Sequence, residues 1–511
     1  MNPPQVRVRF APSPTGPLHL GGVRTALYNY LFARKNNGKF ILRIEDTDRS
    51  RFVTGAEEYI MASLKWCGLE CDEDIEKGGP YMPYRQSERT ALYQTFINQL
   101  LESGHAYYAF DTPEELDALR IQYQHRSSDL FQYNAKNRSS LRNSLFMTKS
   151  EVHKSLSEGK PYVVRIRIPE NEEIVFHDLI RGEVCVHSEN LDDKVLYKSD
   201  GLPTYHMANV VDDFMMKITH VIRGEEWLPS APLHLLLYRF LGWEKIMPQF
   251  AHLPLILKPE GTGKLSKRDG DRLGFPVFPL EWIDPLTKEV FHGYREDGYL
   301  PEAFINMLAL LGWNPGSDRE LFSMNEMIEL FSIERVGKSG SKFDPEKAKW
   351  FNHQYLSRKQ NDELAELLER ILSDHSLKSD RAYLIKVIDL IKDRIVLIPD
   401  LWKNSWFFFQ PPERYDELVK QKIWLGDTSL LICDFLNDAS QIQNFNKESF
   451  HLFIQDFTNK KKIKLGLLMN PLRLLTVGSN QGPGMIEIVD ILGKEEFLKR
   501  IKTGIEALSV H

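Results

Sequence analysis

The sequence predicts an α/β nucleotide-binding fold, with an α+β module inserted in its middle and an all-α region after it. Three observations predict this. The chain opens with a strand, a stiff loop and a helix over residues 6–31. The α/β patterning stops near residue 104 and resumes near 199. Beyond residue 293 the apolar periodicity is mainly helical.

The opening strand is the alternating run Val6-Arg7-Val8-Arg9-Phe10. Pro12, Pro14 and Gly16 then forbid regular structure, and Val23, Ala26, Leu27, Tyr30 and Leu31 share one helix face. A loop that ends at a helix N-terminus presents free N–H groups and the positive end of the dipole, which suits phosphate. Gly21 and Gly22 let a ligand approach the backbone closely, and His19 at the mouth can donate to a phosphate oxygen. Taken alone, His19-Leu20-Gly21-Gly22 reads as an ordinary βα turn with a surface histidine, because short motifs match by chance.

A second strand begins at Lys39 and delivers Glu45, Asp46 and Asp48 at its C-terminal end, the end at which open α/β sheets bind ligands. Glu45 reads either as part of a solvated turn or cap, or as the partner of an ammonium or a ribose hydroxyl. Helical patterns follow at 55–69 and 87–103. From 104 to about 195, a charged helix at 112–125, a polar linker at 127–144 and strand-like runs at 162–168 and 182–186 predict the separate module.

After a turn at 200–203, a helix puts Tyr205 and Asn209 at i, i+4 on one face. A strand at 218–223 ends in Arg223-Gly224-Glu225-Glu226-Trp227, placing an arginine and two carboxylates on the same sheet edge as Glu45. A helix at 233–241 and a short apolar run at 254–257 lead to the Gly-flanked segment Lys264-Leu265-Ser266-Lys267-Arg268. Its three cations read as a solvated face, or as a mobile loop that closes over a polyphosphate and neutralises developing charge. Helices are expected at 301–311 and 325–331, a domain boundary at the Gly/Ser/Lys-rich turn 336–342, and further helices at 362–372, 383–397, 414–423, 429–436 and 495–505. The aromatic cluster Trp402, Trp406, Phe407, Phe408 and Phe409 reads as core rather than as a base-stacking platform.

Composition narrows the class. At 511 residues the chain is too long for one core. With 42% hydrophobic and 27% charged residues it has the balance of a packed globular protein. A net charge of −6 means that any nucleic-acid partner is held by local basic patches. Cys67, Cys71, Cys185 and Cys433 are too scattered for a disulfide framework, which fits a reducing, cytoplasmic setting, and Cys67 and Cys71 lack the second pair of a zinc site. No apolar run is long enough to span a bilayer, and the first strand begins almost at once, so neither a membrane segment nor a signal or transit segment is expected.

The motifs taken together resemble those of the class I glutamyl-tRNA synthetases of bacteria and organelles. They are Arg9-Phe10-Ala11-Pro12-Ser13-Pro14-Thr15-Gly16 with His19-Leu20-Gly21-Gly22, Leu42-Arg43-Ile44-Glu45-Asp46-Thr47-Asp48, Pro203-Thr204-Tyr205-His206-Met207-Ala208-Asn209-Val210-Val211-Asp212-Asp213, Val221-Ile222-Arg223-Gly224-Glu225-Glu226-Trp227 and Lys264 to Arg268. Gly22 stands where many members of the class carry a second histidine. The match continues through Tyr294 to Asp344 and weakens in the C-terminal third.

The resemblance implies a Rossmann-like catalytic domain in two halves, 1–103 and 199–258, around an acceptor-end-binding module at 104–198. It further implies a stem-contact domain with the lysine loop at 259–335 and a helical anticodon-binding domain at 336–511. The implied reaction has two steps. The α-carboxylate of L-glutamate attacks the α-phosphate of ATP and releases pyrophosphate, and the terminal adenosine of tRNA(Glu) then takes the glutamyl group. The first nucleophile is already ionised, so the chemistry needs alignment and charge neutralisation rather than a strong base.

By the same resemblance, His19, Lys264 and Lys267 are catalytic, and with Gly21, Gly22 and Glu226 they hold ATP, which Mg²⁺ accompanies. Arg9 and Arg223 meet the side-chain carboxylate of glutamate, Glu45 its ammonium, and Ala11, Ser13, Tyr205 and Asn209 complete the pocket. A monomer is expected.

Two departures from the family stand out. Ala106-Tyr107-Tyr108-Ala109-Phe110 lacks the cysteines with which many relatives bind zinc, so no zinc is predicted. The segment 273–293 is longer than usual. Its apolar residues Phe275, Val277, Phe278, Leu280 and Trp282 could cover the lysine loop, but a tolerated surface insertion is the preferred reading. The helical C-terminal patterns argue against two relatives: the glutaminyl enzyme, with its C-terminal β-barrels, and a shortened paralogue that glutamylates a modified tRNA base. Retention of His19, Lys264 and Lys267 argues against a non-catalytic RNA-interaction protein.

Overall fold

The computed structural model describes residues 5–126 and 131–509. They form two compact units, one of residues up to 296 with 301–348 and one of residues 297–300 with those from 349 onward.

In the first unit, β1 (Arg7–Phe10) leads into α1 (Leu20–Lys35), which returns to β2 (Lys39–Leu42), parallel to β1. The expected face of α1 is buried at Val23, Ala26, Leu27 and Leu31, and Arg34 and Lys35 in its last turn complement the dipole. β1 differs from its alternating sequence, because both of its faces are covered. Its two arginines survive burial through paired bonds to carboxylates: Arg7 to Glu73 at 2.7 and 2.9 Å, and Arg9 to Asp213 at 2.9 and 3.2 Å. Helices α2 (Ala56–Trp66) and α3 (Thr90–Glu102) follow, both within the expected spans.

The next elements are β3 (Ala106–Ala109), α4 (Pro113–Arg126), α5 (Lys149–Ser157), β4 (Val163–Ile166), the hairpin β5 (Glu173–Asp178) and β6 (Gly182–His187), and β7 (Val195–Tyr197). Strands β3, β4 and β7 make an antiparallel sheet with a small core of Tyr107, Ala109, Leu116, Tyr133 and Leu141. The polar linker residues 127–130 lie outside the described residues.

The hairpin goes elsewhere. After α6 (Tyr205–Met215), β8 (His220–Gly224), α7 (Ala231–Phe240) and β9 (Gln249–Leu253), the sheet order is β6-β5-β9-β8. The run at 182–186, read as part of the inserted module, therefore extends the nucleotide-fold sheet. The cause is β5, whose alternate residues Ile174, Phe176 and Asp178 point inward. Thr219, just before β8, bonds β1 in both directions (Thr219 N to Arg7 O and Arg7 N to Thr219 Oγ1, each 2.9 Å), so β2 and β1 continue the same layer.

β10 (Ile256–Leu257) pairs with β13 (Ser341–Lys342), and between them lie α8 (Lys267–Leu273) and the small hairpin β11 (Trp282–Ile283) and β12 (Val290–Phe291). The turn 336–342, expected to be a domain boundary, is thus tied into the first unit, which runs on to 348.

Among the described residues, every regular element of the second unit is a helix. Ile432, Phe435, Phe450, Phe457, Leu472 and Phe497 are in its core. Helices Lys447–Lys461, Leu465–Val477 and Met485–Leu492 join the expected ones, and the helix expected over 383–397 ends at Ile391 in a 3₁₀ turn. Phe407 and Phe408 are buried, and Trp402 stacks on His375 with ring centres 4.0 Å apart, a packed cluster as expected.

Candidate active site

The C-terminal ends of β1, β2 and β8 open onto one cleft of about 570 Å³. Arg9, Ala11, Ser13, His19, Gly21, Gly22, Glu45, Tyr205, Asn209, Arg223, Glu226 and Lys264 all line it. Of the expected residues only Lys267 is not among them; its backbone begins α8, and its side chain lies outside the described residues.

One end of the cleft is built for a charged amino acid. Glu45 Oε1 accepts from Arg43 Nη2 at 3.0 Å and from Asn209 Nδ2 at 2.9 Å. Burial raises the pKa of Glu45, and Arg43 and Arg9 oppose that shift. Beneath it, Asp213 ties Arg9 to Arg43, with Oδ1 accepting from Arg43 Nη1 at 2.7 Å. Burial works to raise the Asp213 pKa, but the two arginines overcome it and hold the carboxyl below its ordinary value. The opposite wall carries Arg223. Its Nη1 donates to the Tyr205 hydroxyl at 3.0 Å, and Tyr205 stacks on Trp227 with ring centres 4.1 Å apart. Such a pocket offers a fixed guanidinium to a carboxylate and a carboxylate to an ammonium.

The other end is built for phosphate. His19 is the N-cap of α1, and its Nδ1 accepts from the Gly21 amide at 3.3 Å. The ring proton therefore sits on Nε2, which has no protein partner among the described residues. Burial and the neighbouring Lys264 lower the His19 pKa to about 4, so the ring is neutral at pH 7 and Nε2–H is a donor. Around Gly21 the space is open, the nearest atom to an added Cβ being His19 Nδ1 at 4.0 Å. At Gly22 a Cβ would meet Leu18 Cδ1 at 2.5 Å, so any side chain there would displace Leu18. Lys264 pairs with Glu226 at 2.9 Å. The loop is a folded one: the Leu265 amide donates to Ile256 O, and Ser266 caps α8 in a reciprocal box with Asp269.

The segment 273–293 is not the loose surface insertion expected. Val277 O accepts from the Leu20 amide, the first of α1, at 3.0 Å. The Phe278 ring stands edge-on to His19, with centroids 6.1 Å apart. Val277 also packs on α8, since a Cβ at Gly270 would lie 2.6 Å from its Cγ1. Tyr59 anchors the far side, exchanging hydrogen bonds with both backbone groups of Leu280 and meeting Trp282 edge-on. One strap thus holds both the His19 helix and the lysine-loop helix; Val277, Phe278, Leu280 and Trp282 are buried, and Leu286 at the hairpin tip is strongly exposed. The apolar residues are visible in the sequence, but their partners Tyr59, Leu20 and Gly270 are not. Arg43 and Asp213 stood inside recognised motifs, yet neither showed which charge it would meet.

Fold and cleft together define a class I aminoacyl-tRNA synthetase, and the chain belongs to that family. Residues 5–350 match tRNA synthetases class I (E and Q), catalytic domain, and residues 363–505 match an anticodon binding domain. Among its relatives are glutamate–tRNA ligases. The chain is 55% identical to that of Phocaeicola vulgatus, over 99% of this chain and 100% of the relative. It is 56% identical to that of Bacteroides thetaiotaomicron, over 99% of each. The crystal structure of a glutamate tRNA ligase from Elizabethkingia meningosepticum in complex with its amino acid superposes with a TM-score of 0.93. That protein is 50% identical, and the match covers 99% of this chain and 100% of the other.

Proposed function

We infer that the chain is a glutamate–tRNA ligase that activates L-glutamate with ATP and transfers it to the 3′-terminal adenosine of tRNA(Glu) in protein synthesis. The observation that carries this reading is the single cleft. Arg9, Arg223 and Glu45 suit the charges of glutamate at one end, and His19, Gly21 and Lys264 suit phosphate at the other.

The glutamate α-carboxylate attacks the α-phosphorus, the bond to the bridging oxygen of pyrophosphate breaks, and pyrophosphate leaves. His19 Nε2–H and Lys264 Nζ take up charge on the phosphates, and the family resemblance assigns Lys267 the same role. Because His19 is neutral, it acts as a donor and not as a second cation. A ribose hydroxyl of the tRNA then attacks the glutamyl carbonyl and AMP leaves. Mg²⁺ enters on ATP. The carboxylates that line the cleft are already engaged, Glu226 by Lys264 and Glu45 by Arg43 and Asn209, so they build no metal site of their own.

Along the chain, the module within 104–198 that remains outside the nucleotide-fold sheet binds the acceptor end, the segment from 259 to 348 contacts the stem, and the helices of the second unit, from 349 onward, read the anticodon. The enzyme works as a cytoplasmic monomer without zinc; no described helix is long and apolar enough to cross a membrane. The test is charging of purified tRNA(Glu) and tRNA(Gln) with labelled glutamate and ATP. Glutamyl-tRNA(Glu) is the expected product, and failure to charge tRNA(Glu) would overturn the reading.

A further inference from the structure

We propose that Asp178 and His252 are positioning residues for Arg223, acting as a relay that fixes the guanidinium while leaving its charge free for the substrate carboxylate. The proposal rests on the reading of Arg223 as a glutamate-binding residue.

The three residues lie on three adjacent strands. Arg223 on β8 is directly paired with His252 on β9, and β9 runs parallel to β5, which ends at Asp178. His252 Nδ1 meets Asp178 Oδ2 at 2.6 Å, and Arg223 Nε donates to His252 Nε2 at 3.1 Å. The side chains of Asp178 and His252 are fully buried.

The Asp178 carboxylate cannot swing, because its Oδ1 accepts from the amides of Ile180, Arg181 and His252. An arginine Nε has only a proton to offer, so His252 Nε2 must be the acceptor and Nδ1 must carry the ring proton toward Asp178. Burial lowers the His252 pKa, which keeps the ring in this neutral form. The rest of the guanidinium is held in the same plane. Nη1 meets the Tyr205 hydroxyl and His234 Nδ1 at 3.3 Å, and Nη2 meets Trp227 O at 3.4 Å. His234 is neutral as well, since burial and Arg223 hold its pKa well below the usual range.

The contrast with Arg9 gives the arrangement its meaning. Asp213 binds Arg9 directly, and that carboxylate offsets its charge. Arg223 is instead fixed by neutral acceptors, with the nearest fixing carboxylate one imidazole ring away. It therefore keeps its charge for an anionic ligand, and this is the site of discrimination between a carboxylate and a neutral amide side chain.

Asp178→Asn tests the relay. The asparagine keeps the Oδ1 bonds but turns an N–H toward His252 Nδ1, which moves the ring proton to Nε2, against Arg223 Nε–H. In the full chain, ¹⁵N spectra of labelled histidine read the tautomer, and pyrophosphate exchange with tRNA(Glu) present reads the KM values. The proton should move, and KM for glutamate should rise roughly 10–100-fold, the scale on which outer partners of metal-binding histidines act, while KM for ATP stays within about twofold. An unmoved proton, an unchanged KM for glutamate, or a parallel rise in both KM values overturns the proposal.

If Asp178→Asn does not fold, His252→Gln and His252→Leu decide. Glutamine can still accept from Arg223 and should keep most of the glutamate affinity, whereas leucine should lose it, and equal losses refute the relay. Arg223→Ala separates the two claims. If it leaves KM for glutamate unchanged, the reading of Arg223 fails; if only the Asp178 and His252 variants are silent, the relay alone fails.

Discussion

Asp213 is the residue on which the charges beneath the cleft depend, and Asp213→Asn is the sharpest perturbation of that network. The carboxylate accepts three bonds, from Arg9 Nε at 2.9 Å, Arg9 Nη2 at 3.2 Å and Arg43 Nη1 at 2.7 Å. Asparagine keeps one acceptor oxygen and turns an N–H toward Arg9 Nη2. One bond is lost outright, at about 1.5–3 kcal/mol for a charged pair, and the other two keep their charged donors but lose the charged acceptor, at about 1 kcal/mol each. The sum, about 4 kcal/mol, agrees with the roughly 3–5 kcal/mol cost of breaking a buried ion pair. With about 2.1 cal/mol/K of unfolding entropy per residue, a unit that spans 1–296 and 301–348 loses about 1.4 °C per kcal/mol, so its calorimetric transition should fall by about 6 °C.

The pH dependence has a definite sign. The folded pKa of Asp213 lies below the ordinary 3.8, so its stabilisation is complete above pH 3.8 and is lost as pH falls below that value. The gap between wild type and variant should therefore narrow only under strong acid. In pyrophosphate exchange, KM for glutamate should rise with Arg9 loosened, and KM for ATP should not. A variant as stable as wild type, with an unchanged KM for glutamate, would refute the reasoning.

Other perturbations separate function from stability. Lys264→Ala removes an ion pair whose side chains are 54% and 44% exposed, so thermal stability should change by less than about 1 kcal/mol, yet the activation rate should fall roughly 10²–10³-fold; a variant with a normal rate shows that the loop does not serve the chemistry. Phe278→Ala removes the ring edge beside His19, and a contact of about 0.5–1.5 kcal/mol predicts a twofold to tenfold rise in KM for ATP with KM for glutamate unmoved, checked by titrating each substrate in turn. Because burial raises the Glu45 pKa above its ordinary 4.5, kcat/KM for glutamate should begin to fall on the acid side at a pH above 4.5 as the carboxylate is protonated and its hold on the substrate ammonium is lost. Glu45→Gln should be weak throughout and lack that limb; a variant that retains the limb assigns it to another group.

The parts of this architecture that the sequence makes legible are those set by local pattern. The β1–loop–α1 unit is readable because proline and glycine positions and one helix face specify it within about thirty residues. The cleft is readable through motifs that each end a strand on the same sheet edge. Contacts between distant segments are less so. β5 is hard to see because Glu173-Ile174-Val175-Phe176-His177-Asp178 buries only two apolar side chains and a carboxylate, and its place in the sheet depends on β9, more than seventy residues on. His252 is a lone histidine in a short strand, and nothing near it names Asp178 or Arg223. In the strap the aromatic residues mark it as apolar, but only the fold shows Tyr59 and Leu20 waiting for it.

Pyrophosphate exchange by the purified chain, measured against each of the twenty amino acids with tRNA(Glu) present and absent, tests the central claim most directly. The account predicts ATP–pyrophosphate exchange that depends on L-glutamate and is absent with glutamine. Exchange supported by glutamine, or none with glutamate under either condition, would contradict it.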